Sequence, residues 1–245
     1  MSTAPITVLS TKMLPQSLIA QAEQQHIHIN AADFLKIERI RTPDVRVQIA
    51  AYAVRPITAL FTSANAVAAV SKHLTTCPEW QIFCLSGKTK TTLLEHFSEE
   101  QIIASAPDAA ALVPKIMAAR PSGDCVFFCG NKHLNTLPEA FKAENIPLKE
   151  QVVYKTISSP QKINKSYDGL LFFSPSGVES FFELNAIAEQ TVCFAIGDTT
   201  AKAVRKFTRN PVVIAGSPDN ENMIQTVQNY FFKKITGHAS GVSGK

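Results

Sequence analysis

No apolar run in the chain approaches the ~18 residues that a membrane-spanning helix needs. There is no run of five or six like charges and no basic stripe interleaved with aromatics, so neither a membrane nor nucleic acid is an expected partner. The cysteines Cys77, Cys84, Cys125, Cys129 and Cys193 are odd in number, with no CxxC pair and no histidine at ligand spacing. That excludes a disulfide framework and a zinc site, and most of them lie in apolar runs such as QIFCL, VFFC and VCFAI, as buried reduced thiols do. Also missing are a GxGxxG after the first strand, a GxxxxGKS/T, a GxSxG and an HExxH. The histidines His26, His28, His73, His96, His133 and His238 are scattered, with His73 and His96 on expected helices. No catalytic triad or metal cluster can be built from local spacing, which disfavours a nicotinamide, ATP or metal enzyme.

What is present is a composition that folds: 45% hydrophobic and 18% charged residues over a chain of 245. That length accommodates one large or two small domains, each with its own core. A net charge of +4 suits a small polyanionic ligand held in a pocket. The opening residues MSTAPITVLSTK have no charged start followed by an apolar core, so a cytoplasmic protein is expected. The closing TGHASGVSGK reads as a loose tail.

Eight short apolar runs read as strands: ITVL, ITALFT, WQIFCL, QIIAS, CVFFCG, GLLFFS, TVCFAIG and PVVIAG. Nearly all precede a segment with helical periodicity, the alternation of parallel sheets covered by helices. A repeat then emerges. ALFTSANAVAAV from Ala59 matches LLFFSPSGVESF from Leu170, and Ser174 stands 111 residues after Ser63. FCLSGKTKTTL matches FAIGDTTAKAV, pairing Gly87 with Gly197 and Thr89 with Thr199, and SAPDAAALV matches GSPDNENMI, pairing Asp108 with Asp219. Three motifs in one order at a nearly constant offset mark two similar α/β units.

The first unit also carries CVFFCGNKHLNTLPEAFKAENI, which has no counterpart after PVVIAG; the missing strand and helix stand at the front of the chain, in ITVLSTKMLPQSLIAQAEQQHI. The expected fold is therefore α/β, with two similar three-layer parallel-sheet domains, the second inserted in the first. Residues 1–38 and 163–245 form the discontinuous domain and 47–150 the inserted one. Residues 39–46 and 151–162 join them as two antiparallel linker strands, since FLKIERIRTPDVRV and EQVVYKTISSP alternate β-branched or aromatic residues. Such a connector leaves the domains free to move.

Each repeated motif puts Ser, Thr or Gly where a strand ends and a helix begins. Helix capping accounts for these residues one at a time, with Ser63, Ser174 or Ser176, Thr199, and Asp108 or Asp219 as caps. Together the motifs set several helix N-termini at the carboxyl ends of parallel strands, where N–H groups and the helix dipole attract anions. Gly87, Gly130, Gly177 and Gly197 would let a ligand approach the backbone. Two such surfaces facing each other across a flexible cleft would hold a ligand with many negative groups.

FFSPSGV, then AIGDTTAKAV, then SPDNENMI, with VYKT ahead of them, resembles the uroporphyrinogen-III synthase family over nearly the whole chain. The resemblance implies a cofactor-free enzyme of haem and tetrapyrrole biosynthesis. Its substrate, hydroxymethylbilane, is a linear tetrapyrrole with eight carboxylates. The family's reaction removes the terminal hydroxyl as water, inverts the last pyrrole ring (ring D) and closes the macrocycle as uroporphyrinogen III. Left alone the bilane closes without inversion, so the enzyme has to impose geometry. A monomer is expected because the cleft is made within one chain, and hydroxymethylbilane synthase is the upstream supplier that the resemblance allows.

Carried over by motif, Tyr154 of VVYKT corresponds to the family's recurrent tyrosine and would be the general acid at the departing hydroxyl. Ser63, Ser174, Ser176, Gly177, Thr199 and Thr200 would bind substrate carboxylates, mostly through backbone N–H groups, and Gly87, Thr89 and Gly130 belong to the same turns. Where family members often have strand-TRP this chain has STKML; the loop after Cys129 reads GNKHLNT; and the Gly87 turn has Lys90 where threonine is common. Lys12, Lys90 and Lys132 are the cations these departures offer. Paired α/β domains with a hinge also occur in non-catalytic two-lobed binding or sensor proteins for small anions. An acidic, aromatic pocket would favour that alternative, and one of N–H groups, hydroxyls and lysines the synthase.

Overall fold

The computed structural model describes residues 5–121 and 123–237. The chain opens with β1 (Ile6–Ser10), α1 (Gln16–Glu23), β2 (Ile27–Ala31), β3 (Leu35–Arg39) and α2 (Pro43–Ala53). It continues through β4 (Ile57–Phe61), α3 (Ala64–Ser71), β5 (Trp80–Leu85), α4 (Lys88–Leu94), β6 (Ile102–Ala106) and α5 (Ala109–Ala118). Then come β7 (Cys125–Gly130), α6 (Thr136–Ala143) and β8 (Leu148–Ser158). The last part is β9 (Gly169–Phe172), α7 (Pro175–Phe182), β10 (Val192–Ala195), α8 (Asp198–Val204), β11 (Val212–Ile214) and α9 (Asn220–Gly237). All eight apolar runs lie on strands. Among the described residues no helix is long and apolar enough to cross a membrane. Most of the tail TGHASGVSGK lies outside the described residues.

Two compact units divide the chain, an outer one of residues 1–36 with 158–245 and an inserted one of 37–157. Their boundaries fall within β3 and within β8. The outer sheet runs β2-β1-β9-β10-β11, and the inserted sheet runs β3-β8-β7-β4-β5-β6. Setting β8-β7-β4-β5-β6 on β2-β1-β9-β10-β11 pairs β4 with β9, β5 with β10 and β6 with β11, the strands of the repeated motifs. The same overlay pairs β7 with β1 and β8 with β2, so the front of the chain fills the two positions that the later repeat lacks. Every pairing within each five-strand set is parallel.

Alternate residues of the central strands feed cores on opposite faces, which is why these runs are apolar throughout. Phe61, Val126 and Phe128 enter one core of the inserted unit with Trp80, while Leu60, Cys125 and Phe127 enter the other. Phe128 stacks between Phe61 and Trp80 at 5.1 and 5.3 Å. In the outer unit Leu171 turns to one core and Leu170 and Phe172 to the other.

The linker expectation needs correcting at its first crossing. The strand ends at Arg39, and residues 43–46 begin α2. The cause is local: Thr42 is extended, Pro43 sits at the first helical position and Asp44 lies in the first turn, which together start a helix. At the second crossing, β8 pairs in parallel with β7 from Leu148 onward and belongs to the inserted sheet. Strand β2 has no counterpart among the eight runs because only Ile27 and Ile29 of IHINA are buried. His73 and His96 fall in turns just past α3 and α4, not on the helices themselves.

Candidate active site

In the inserted unit three residues meet where β4 and β7 end alongside the middle of β8. Ser63 caps α3, its Oγ accepting the Asn65 N–H at 3.2 Å. The same Oγ accepts the phenol proton of Tyr154 at 3.1 Å. Tyr154 is only 8% exposed, and its ring lies directly over Gly130. A β-carbon on Gly130 would sit 2.5 Å from the ring, so this glycine seats the tyrosine rather than a ligand. The register explains the aim of the ring: Cys129 pairs with Val152, but a bulge then sets Gly130 opposite Tyr154. Asn131 locks that arrangement, donating its N–H to the Tyr154 carbonyl at 3.1 Å and accepting the Thr156 N–H on Oδ1 at 2.8 Å. Sequence reasoning passed over Asn131, whose signal is a polar amide directly after the strand-end glycine.

The neighbouring turn is built differently. Gly87 has φ +68°, a conformation that a side chain would strain, and it precedes α4. Thr89 is buried, and Lys90 lies 3.4 Å from Glu99, so its charge is engaged within the protein. Lys132 is exposed on the loop after β7.

The outer unit assembles a matching surface at the ends of β1, β9 and β10. Ser174 caps α7 and accepts the Gly177 N–H at 3.1 Å; Ser176 is the second residue of the helix and is not the cap. A β-carbon on Gly177 would press on Ser174 Oγ at 3.3 Å. Thr11, which no sequence motif singled out, is buried and donates to the Leu171 carbonyl at 2.7 Å. Lys12 holds its ammonium 4.1 Å from the centre of the Phe173 ring. The α8 turn departs from expectation. Gly197 occupies the cap position in extended backbone that any residue could adopt, and Thr199 is exposed without a capping bond. Thr200 is 1% exposed, backbone included, so it offers a ligand almost no surface. Asp198 already places a carboxylate at that helix start, which weakens its pull on another anion.

None of the buried thiols is a ready nucleophile. Burial pushes Cys84 up to about 11 against the opposing pull of Lys90, and Cys193 up to about 12. Burial, with the Glu150 carboxylate adding to it, takes Cys129 to about 12. The fold does gather one trio that local spacing hid: Cys129, His133 and Glu150 bring their ligand-type atoms within 4.8 Å of one another. His133 Nε2 and Glu150 Oε2 are 2.9 Å apart, the spacing of a direct hydrogen bond.

These surfaces are lined by N–H groups, hydroxyls and a lysine, and the profile described as HEM4, uroporphyrinogen-III synthase HemD, matches residues 17–225. The chain belongs to the uroporphyrinogen-III synthase family. With the family goes its activity, that of an enzyme of tetrapyrrole biosynthesis, and the non-catalytic sensor reading falls away. The crystal structure of a mutant uroporphyrinogen III synthase from the extremely thermophilic bacterium Thermus thermophilus aligns with TM-score 0.62 at 17% identity, over 94% of this chain and 99% of that one. Uroporphyrinogen-III synthetase from Helicobacter pylori 26695 aligns with TM-score 0.66 at 17% identity, over 92% and 99%. At that identity the likeness is one of fold. No curated protein matches the chain.

Proposed function

We propose that this chain converts hydroxymethylbilane to uroporphyrinogen III with inversion of the last ring, and that Tyr154 is its general acid. The observation that carries the assignment is the Tyr154 phenol, seated by Gly130 at a strand end and already donating to Ser63 Oγ at 3.1 Å. A substrate hydroxyl arriving there would replace Ser63 as acceptor. Proton transfer lets that oxygen leave as water when its C–O bond breaks. Ring closure at a pyrrole carbon then releases a proton, which restores the phenol.

In this reading the substrate carboxylates are held by N–H groups and hydroxyls at the starts of α3 and α7, from Ser63, Ser174, Ser176 and Gly177. The turns at Gly87–Thr89 and Gly197–Thr199 contribute backbone donors, and Lys12 a cation, while the Thr200 expected from the motif would have to be uncovered to take part. We take β3 and the end of β8 as the linker between the two units, and a hydroxymethylbilane synthase as the supplier of the bilane. Holding both ends of a flexible bilane is what favours inversion over the spontaneous closure.

The test is to generate hydroxymethylbilane in the presence of the protein, oxidise the products and resolve type I from type III porphyrin. Type III is expected, and type I alone would remove the enzymatic reading. Tyr154→Phe should lower the rate of type III formation on the order of 100-fold with the fold intact. Unchanged turnover in that variant would take Tyr154 out of the chemistry.

A further inference from the structure

Arg39, Arg41 and Arg46 look like dispersed charges along ERIRTPDVRV, yet the inserted unit brings them to one place. With Lys72 and His73, just past the end of α3, they line an open cavity of about 880 Å³. Apolar residues line it as well, including Pro43, Leu74 and two strongly exposed valines, Val47 at 65% and Val54 at 86%. A second concavity shares Arg39 and Arg41 and continues along α3 through Ala68 to Asn65. Asn65 is the residue whose N–H is bound by Ser63, the acceptor of the Tyr154 phenol. The two concavities thus form a groove with cationic and apolar lining that reaches Asn65, next to the cluster proposed for the chemistry.

Among the described residues the side chains of Arg39, Arg41, Arg46 and Lys72 form no ion pair, and Glu38 is the one carboxylate lining either concavity. Clustered like charges repel, so the arrangement is more stable with an anion among them. Guanidinium forks match carboxylates in pairs, and the apolar lining residues match carbon rings between the acid groups. Among the described residues lining the two concavities there is no Phe, Tyr or Trp, and His73 is the one ring on which a nucleobase could stack.

We propose that this groove binds carboxylate side chains of the linear tetrapyrrole, as a cationic extension of the Tyr154–Ser63 surface; the proposal rests on the functional reading above. The triple variant Arg39→Gln, Arg41→Gln, Arg46→Gln would be compared with a control of equal charge loss on the outer unit, Arg205→Gln, Lys206→Gln, Arg209→Gln. All six positions are exposed. Kinetics with hydroxymethylbilane and a fluorescence titration with uroporphyrin III, itself an octacarboxylate, are the two readouts. In the groove variant KM and the uroporphyrin Kd should each rise roughly tenfold, with kcat held within about twofold and the control unchanged. Equal KM and Kd in the two triples would overturn the proposal and leave the groove to another partner, such as an acidic protein surface. If the parent protein makes no type III product, the functional reading fails on its own, and the titration still decides the groove. Weaker uroporphyrin binding by the groove variant alone then supports it, and equal binding removes it.

Discussion

Gly130 shows how one missing side chain sets up a site. No positive φ is involved; the constraint is the Tyr154 ring, which occupies the volume where a β-carbon would go. Gly130→Ala should therefore displace the ring and break the Tyr154–Ser63 bond. The expected result is a loss of type III formation approaching that of Tyr154→Phe, while the alanine backbone fits β7. Retained activity in Gly130→Ala would show that the ring position is irrelevant to turnover. At the same scale Lys90 shows the limit of counting cations along a chain: its ammonium is matched with Glu99.

At the scale of elements, the repeated motifs perform one local task twice. Ser63 and Ser174 cap α3 and α7, while Asp108 and the Asp219 carboxylate accept N–H groups from the first turns of α5 and α9. The following apolar residues, Val67 and Val178, are fully buried in their respective units. Ser174→Ala should destabilise the protein by about 1 kcal/mol, the usual worth of an N-cap bond, whereas Thr199→Ala, which removes no capping bond, should leave stability unchanged. Urea midpoints of the two variants provide the check, and equal midpoints would contradict the assignment of the caps. The α2 start makes the opposite point. Alternation in ERIRTPDVRV reads as strand, yet Pro43 and Asp44 carry the stronger local signal and end the strand at Arg39.

For the whole molecule, the buried thiols predict a direction of pH dependence. Burial raises Cys84 to about 11 and Cys129 and Cys193 to about 12, above the ordinary thiol value of 9.0 that they regain on unfolding. The stabilisation from keeping these groups neutral is full below pH 9 and is lost as pH rises toward 12, because the unfolded chain gives up its protons first. Urea midpoints should accordingly fall between pH 8 and pH 10.5. The fall should be smaller in Cys193→Ala, and an equal fall would show that this thiol does not contribute.

Legible along the chain were eight of the apolar strands, the turns between strand and helix, the duplicated motifs and the family those motifs belong to, but not β2 or the start of α2. These are local patterns, set by side-chain periodicity and by the few residues that can cap a helix or follow a strand. Tertiary structure alone decided which residues meet. Tyr154 reaches Ser63 across 91 positions of chain, through a parallel register and a bulge that no local pattern encodes. Arg39, Arg41, Arg46 and Lys72 come to one concavity from the end of β3, the start of α2 and the turn past α3. Contact between distant residues depends on strand order and register, which are settled by the burial of whole faces, and a linear reading sees only the neighbours along the chain.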